Sequence, residues 1–312
     1  MTGVSPAERR RAFAALFAAG TLWGATFLVG KLVLRSVGPT WLIAERFALA
    51  VLVLLPFVPW RALRRTLHAR PADARLAGQV LLGAFLAGPV TFVLGFEGLA
   101  RTTASGAALL VAVAPPLLAV GAALVDGERA GRAAWTAIAV SAVGVALLVG
   151  SPGPGRTLTG DALCAAGMVG AVAWTLVSRR IARRLGTVAA VVVQFACGVL
   201  MLVPLALVRE GPPPPMDGPT ALGVVFLGVV CTAVTFSLFT WGVQRVEAAR
   251  AGVISNIEPV IGSVLGVAVL GEHLGPWAVA GGALLVAAAL LATRAEPVPD
   301  APATDAPAPL AP

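Results

Sequence analysis

The residues of chemical interest are charged and polar side chains set in long apolar runs. Arg46 lies inside such a run, residues 40–59. A cation in hydrocarbon costs from about 2.5 kcal/mol upward, so it must face a wet cavity or a partner. It reads either as an electrostatic contact for a substrate carboxylate or as a structural ion pair near the outer interface. The adjacent Glu45 is poorly placed as its partner, because neighbours on a helix point about 100° apart. Glu258 lies in another apolar run, one residue before Pro259. Proline removes a backbone donor and frees a carbonyl, opening a helix locally. A carboxylate beside such a break can serve as a proton or cation site, or can be pinned to a neighbouring helix or an arginine. Pro115, followed by Pro116, marks a comparable break in an earlier run.

Softer candidates surround these. Trp23, Phe27, Trp174, Phe236 and Phe239 can form aromatic walls of a cavity or simply pack. Thr91, Gln194, Thr235 and Asn256 can fix a substrate by hydrogen bonds or tie helices together. The spacings Gly20-xxx-Gly24 and Gly262-xxx-Gly266 are read as close helix approach. Cys164, Cys197 and Cys231 each sit in an apolar run without a CxxC pair, and are read as buried, inert thiols. No HExxH, GxSxG or GxxxxGK[ST] motif occurs, and no histidine falls in an apolar run. The chain is therefore expected to be no enzyme and to use no metal, nucleotide or other cofactor.

The elements that must carry these residues follow from composition. Of 312 residues, 58% are hydrophobic and 12% charged, with a mean hydropathy of +0.90. Soluble domains average about 25% charged residues. A soluble fold of this size could not hide so much apolar surface, whereas a lipid bilayer is the matching solvent. The net charge of +8 comes in short bursts between apolar runs, which points to membrane orientation and not to nucleic acid. A crossing helix needs about 20 mostly apolar residues. The runs that qualify are 12–30, 40–59, 76–96, 104–125, 133–150, 161–178, 187–208, 219–242, 249–270 and 275–292. With a cytoplasmic N-terminus, seventeen of the 23 basic residues fall in internal segments, five in external ones, and Arg46 within a span. That asymmetry supports ten crossings with both termini inside. Trp41, Trp60, Trp135, Trp241 and Trp277 fall at span ends, as interfacial rings do. Both histidines, His68 and His273, fall in expected loops.

The chain also repeats. At a shift of 144 residues, Gly98, Arg101, Ala104, Ala107, Pro115, Gly127 and Glu128 fall on Gly242, Arg245, Ala248, Ala251, Pro259, Gly271 and Glu272, and Thr91-Phe92 falls on Thr235-Phe236. Five spans per unit is an odd number, so the second unit enters from the opposite side. The expected architecture is an all-α integral membrane protein of ten helices in two inverted five-helix repeats, a form common among secondary transporters. Residues 1–11 form a cytoplasmic tail, 12–150 the first repeat, 151–160 a linker, 161–294 the second repeat, and 295–312 a disordered cytoplasmic tail. Paired breaks at Pro115 and Pro259 then point to a binding site. Glu128 and Glu272 end matched spans on opposite faces and suit a structural or gating role.

These residues resemble the EamA-type ten-helix group of the drug/metabolite transporter superfamily. The resemblance rests on Trp23-Gly24-Ala25-Thr26-Phe27, Arg46-Phe47, Ala100 to Ser105 leading to Pro115, Asn256-Ile257-Glu258-Pro259-Val260, and Leu270-Gly271-Glu272-His273-Leu274. It spans roughly residues 12–292, and departs from the pattern at Asp126-Gly127-Glu128. It implies export, or sometimes uptake, of amino acids, their analogues or other small metabolites, without ATP. The expected partners are the lipid bilayer, a small-molecule substrate and, at Glu258, a proton as coupling ion. The short loops suit a bacterial plasma membrane. A channel or lipid flippase of the same fold stays open beside the carrier, and a membrane-embedded enzyme more remotely.

Overall fold

A computed structural model describes residues 6–69, 74–126, 132–150, 153–243, 245 and 256–294. Among these there is no strand. The helices are α1 (Pro6–Val33), α2 (Pro39–Leu54), α3 (Trp60–Ala69), α4 (Ala74–Phe85), α5 (Leu94–Arg101), α6 (Ala104–Leu110), α7 (Ala114–Asp126), α8 (Arg132–Val149), α9 (Leu158–Leu185), α10 (Thr187–Arg209), α11 (Gly218–Val225), α12 (Thr235–Val243), α13 (Ile257–Leu270) and α14 (Pro276–Arg294). Six continuous helical stretches are long and apolar enough to cross a membrane: residues 7–33, 39–57, 74–101, 158–185, 187–209 and 218–242. Shorter apolar helices cover 104–118, 135–149, 257–270 and 276–291. The first seven residues of the run expected over 249–270, together with Gly127, Glu128 and the tail 295–312, lie outside the described residues.

Helix boundaries follow local chemistry. Thr103, Thr157 and Asp217 each accept a hydrogen bond from a first-turn amide, of Gly106, Gly160 and Thr220 respectively, supplying an acceptor that those donors otherwise lack. Pro39 opens α2 where its missing N–H costs nothing. Gly186 at φ 82° separates α9 from α10, and Gly271 at φ 67° ends α13, backbone angles that glycine adopts without steric cost.

The prolines within the spans stand in different local structures. Pro89 lies in a π-helical segment, Leu86–Val93, which joins α4 to α5 within one rod. A second π segment, Phe226–Val234, joins α11 to α12. A 3-10 turn, Val111–Val113, precedes Pro115 and Pro116, which stand in the first turn of α7. Pro259 likewise stands in the first turn of α13. Pro204, by contrast, lies within the continuous helix α10.

The helices pack in related pairs. α1 lies against α12 and α13, while α9 lies against α5 and α7; α2 packs on the Phe226–Val234 segment, and α10 on Leu86–Val93. The contacts α2 with α10, α6 with α13 and α8 with α14 close the bundle. Small residues permit the closest approaches. A Cβ at Gly24 would stand 2.8 Å from Ile261 Cβ, and one at Gly262 would stand 3.1 Å from Phe27. Outward-facing residues such as Leu200 and Leu222 are exposed and apolar, as lipid-facing positions require.

One expectation needs correction. Residues 60–69 are not a loop but a ten-residue helix, so His68 is helical, its Nδ1 2.7 Å from the Arg64 carbonyl oxygen. A search for long apolar runs cannot detect a short polar helix.

Candidate functional site

The centre of the bundle is aromatic, and its members come from six helical stretches. Phe47 of α2 stacks on Phe195 of α10, with centroids 4.1 Å apart, and meets Phe92 edge-on at 5.2 Å. Trp174 of α9 contacts Phe92, Phe195 and Phe236. Phe236 of α12 reaches Trp23 of α1, which also packs on Phe239 at 5.1 Å. Phe195 escapes sequence reading, because an aromatic residue in an apolar run has no signature of its own, and Phe47 enters it only as part of the Arg46-Phe47 motif. Phe92 and Phe236 do recur at the 144-residue shift.

Arg46 enters this cluster from α2 and is 2% exposed. Its Nε donates to the Thr232 hydroxyl at 2.7 Å, and one Nη reaches the Cys231 carbonyl at 3.5 Å. The guanidinium lies 5.0 Å from the centroid of Phe92 and 5.6 Å from that of Phe96. A hydrogen bond from a charged group contributes about 1.5–3 kcal/mol, and a desolvated cation–π contact about 2 kcal/mol. Together these are enough to hold the cation where insertion scales put its cost near 3 kcal/mol. Its other Nη remains buried without a hydrogen-bond partner among the described residues. Glu258, part-buried in the first turn of α13, is close enough for its charge to attract that of Arg46.

The π segment explains why Thr232 can present its oxygen to Arg46. The Thr232 hydroxyl donates to the Leu227 carbonyl five residues back, and Thr235 does the same to Val230. Wider π turns expose such carbonyls, and π bulges recur at functional sites. Thr91, in the other π segment, is buried, and its hydroxyl has no partner among the described residues. Gln194 is fully occupied. It accepts from Trp174 Nε1 at 3.1 Å and donates to Ser178 Oγ and the Ala190 carbonyl, fixing the indole as it ties α9 to α10. Asn256 is buried at the start of α13, and Phe27 lies against Gly262.

A cavity of about 240 Å³ opens beside the cluster, lined by Leu54, Thr187, Val188, Val191, Phe236, Ser237, Thr240 and Trp241. Phe236 is therefore both cavity wall and cluster member. Of the residues expected to line a cavity, Trp23, Trp174, Phe239 and Arg46 gather around Phe236 and Phe92, but none is itself in the lining.

The opposite face is bolted shut by polar groups. Glu272, just after α13, accepts from the Ala104 and Ser105 amides at 2.7 and 2.8 Å and from the Ser105 hydroxyl at 2.6 Å. Glu210, after α10, accepts from the amides of Thr40 and Trp41 at the start of α2. Glu97 pairs with Arg101 and, at 2.8 Å, with Arg209. Lys31 donates to the carbonyls of Leu99, Ala100 and Thr102. Arg156 and the Thr102 hydroxyl both bind Asp161. Carboxylates at helix starts and an ammonium at a helix end complement the helix dipoles. On the Trp241 face, Arg245 lies 3.6 Å from Glu8 and rests on the Trp241 ring. Glu97 and Glu210 were not anticipated, although acids at span ends are rare enough in this chain to have marked them.

The model of the EamA-like transporter family matches residues 10–150 and again 158–294. The uncharacterized inner membrane transporter YedA of Escherichia coli is 25% identical over 272 residues, 84% of each chain. The uncharacterized inner membrane transporter YicL of Salmonella typhimurium is 27% identical over 260 residues, 81% of this chain and 85% of its own. A probable terminal-alkyne amino-acid exporter of Streptantibioticus cattleyicolor is 30% identical over 203 residues, 63% of this chain and 66% of its own. A solved crystal structure of a protein superposes with a TM-score of 0.60 at 22% identity, covering 90% of this chain and 96% of that one, and so shares the fold.

Proposed function

Because the chain belongs to the EamA-like transporter family, we propose that it is a secondary transporter that exports a small polar metabolite, such as an amino acid or an analogue, by alternating access. It is a multi-pass protein of the bacterial inner membrane, as its named relatives are. In this reading ten spans form two inverted repeats, 12–150 and 161–294, with both termini cytoplasmic. The related helix pairs support that symmetry, since α1 against α12 and α13 corresponds to α9 against α5 and α7. The basic residues then put the Trp241 face in the cytoplasm and the Lys31 face outside. The cavity open beside Trp241 and the bolted Lys31 face correspond to the state that loads from the cytoplasm.

The observation that carries the substrate reading is the spare donor of Arg46, buried beside an aromatic wall and without an acceptor among the described residues. A buried polar group of this kind is costly, and a substrate carboxylate would satisfy it. Glu258, within Coulombic reach of Arg46, is the carboxylate we assign as proton carrier. Pro115 and Pro259 start the helices α7 and α13 at corresponding places, while Glu272, with Glu128 in the matching position, acts in closure. Counterflow in proteoliposomes tests the proposal. Amino acids or close analogues preloaded inside should drive saturable exchange of labelled substrate, and non-saturable flux without exchange would instead indicate a channel.

A further inference from the structure

A second charged feature lies away from the central site. The helix α3 follows the exposed Phe57 and begins with the exposed Trp60. Leu63 packs on the main core and Leu67 is part-buried, whereas Arg61, Arg64, Arg65 and His68 are exposed. α3 packs against α9, whose last turns carry Arg179, Arg180, Arg183 and Arg184, of which Arg180 and Arg184 already have partners. Arg75, also exposed, opens α4. No acid occurs within Trp60–Ala69 or in residues 177–186. Arg61, Arg64, Arg65, Arg179 and Arg183 are exposed and have no ion pair among the described residues. Like charges concentrated at one helix contact repel one another unless an anion lies between them.

We propose that α3 and the last turns of α9 form a headgroup site for an anionic phospholipid, best filled by one carrying two phosphates. Guanidinium forks match phosphate oxygens in bidentate geometry. Basic clusters between spans at the cytoplasmic surface bind such headgroups. The apolar border favours a lipid over a soluble polyanion. Phe57 is 70% exposed and Leu55 is 40% exposed, and both adjoin α3 at the end of α2, where an acyl chain would lie and Trp60 would mark the interface. Leu54 and Thr187 of the transport cavity adjoin these segments in the chain, but the cavity lining contains no arginine, so the guanidinium cluster is not part of it.

The test uses the full chain in mild detergent, titrated with cardiolipin, phosphatidylglycerol or phosphatidylcholine, with bound lipid counted by native mass spectrometry. The expected order is cardiolipin above phosphatidylglycerol, with phosphatidylcholine at background. The triple variant R61Q/R64Q/R65Q should lose at least tenfold in cardiolipin affinity. R9Q/R10Q/R11Q removes the same charge from the start of α1 and should change it less than twofold. R61K/R64K/R65K keeps the charge, and with it membrane orientation, yet should still lose several-fold because the fork is gone. Equal losses in the two glutamine variants, full retention in the lysine variant, or displacement of the lipid by millimolar inorganic phosphate would each overturn the proposal.

Discussion

Arg46 Nε and Thr232 Oγ1 lie 2.7 Å apart across 186 residues of sequence. That bond joins α2 to the π segment Phe226–Val234, and so ties a cation of the first half to a backbone irregularity of the second. The Thr232 hydroxyl is itself spent on the Leu227 carbonyl, so its oxygen is oriented to accept. The guanidinium is thus held on one edge and, among the described residues, left open on another.

If that open edge binds a substrate carboxylate, Arg46→Gln should raise the half-saturating substrate concentration in counterflow by tenfold or more, since loss of a charge-assisted bond costs about 1.5–3 kcal/mol. Arg46→Lys should recover part of the loss, having a charge but no fork. A substrate analogue lacking the carboxylate should be equally poor for all three proteins. An unchanged preference for the carboxylate in Arg46→Gln removes the residue from recognition.

Glu258→Gln should abolish the response of transport to an imposed pH gradient while leaving exchange without a gradient within a few-fold of the parent. The readout is uptake into proteoliposomes with and without acidic lumen. Retained acceleration by the gradient sends the proton elsewhere.

Glu272 supplies acceptors to two amides and a hydroxyl at the start of α6. Glu272→Ala should cost about 0.5–2 kcal/mol of the closed arrangement, the range for losing a helix cap. Maleimide labelling of a cysteine placed at Thr103, a buried position, should quicken several-fold in that background. An unaltered labelling rate means that the contact does not hold the face shut.

Gly24→Val should separate α1 from α13. A Cβ there would stand 2.8 Å from Ile261 Cβ and 2.9 Å from the Glu258 carbonyl, and overpacking of this kind costs about 1–3 kcal/mol. A lower unfolding temperature in detergent is the expected result, whereas Gly78, with nothing near its Cβ position, should accept alanine without loss.

Asp217 caps α11 outside the membrane. Its hydrogen bonds with the Thr220 side chain and amide hold its carboxyl below the usual aspartate range. A folded-state value lowered in this way stabilises the protein above the ordinary value, near 3.9, and the contribution disappears as pH falls through the lowered one. Asp217→Ala should therefore unfold at a lower temperature than the parent at pH 7. The difference should shrink as the pH drops below 4.

The sequence disclosed the gross elements well, for reasons of solvent. Runs such as 12–30 and 187–208 are too apolar to be anything but buried in lipid or protein, and they fall inside α1 and α10. Their ends were less visible, because α9 continues to Leu185 through four arginines that a hydropathy criterion discards. The π segments left no trace, since an extra residue per turn changes no composition. Trp174 and Gln194 were both singled out, but their mutual hydrogen bond depends on how α9 and α10 turn against each other. Of the polar bolts, Glu272 is legible from the repeat, whereas Glu210 is not: Glu210 and Trp41 are distant in sequence and meet only through the packing of α2 on α10.

Lys31 is the sole lysine of the chain, and its ammonium, part-buried, donates to three carbonyl oxygens. Amine-directed reagents should therefore react more slowly at Lys31 of the folded protein than at Lys31 of the unfolded chain. A nitrogen-15 label introduced through lysine would give one side-chain resonance, a single-nucleus reporter of whether that side of the molecule is sealed.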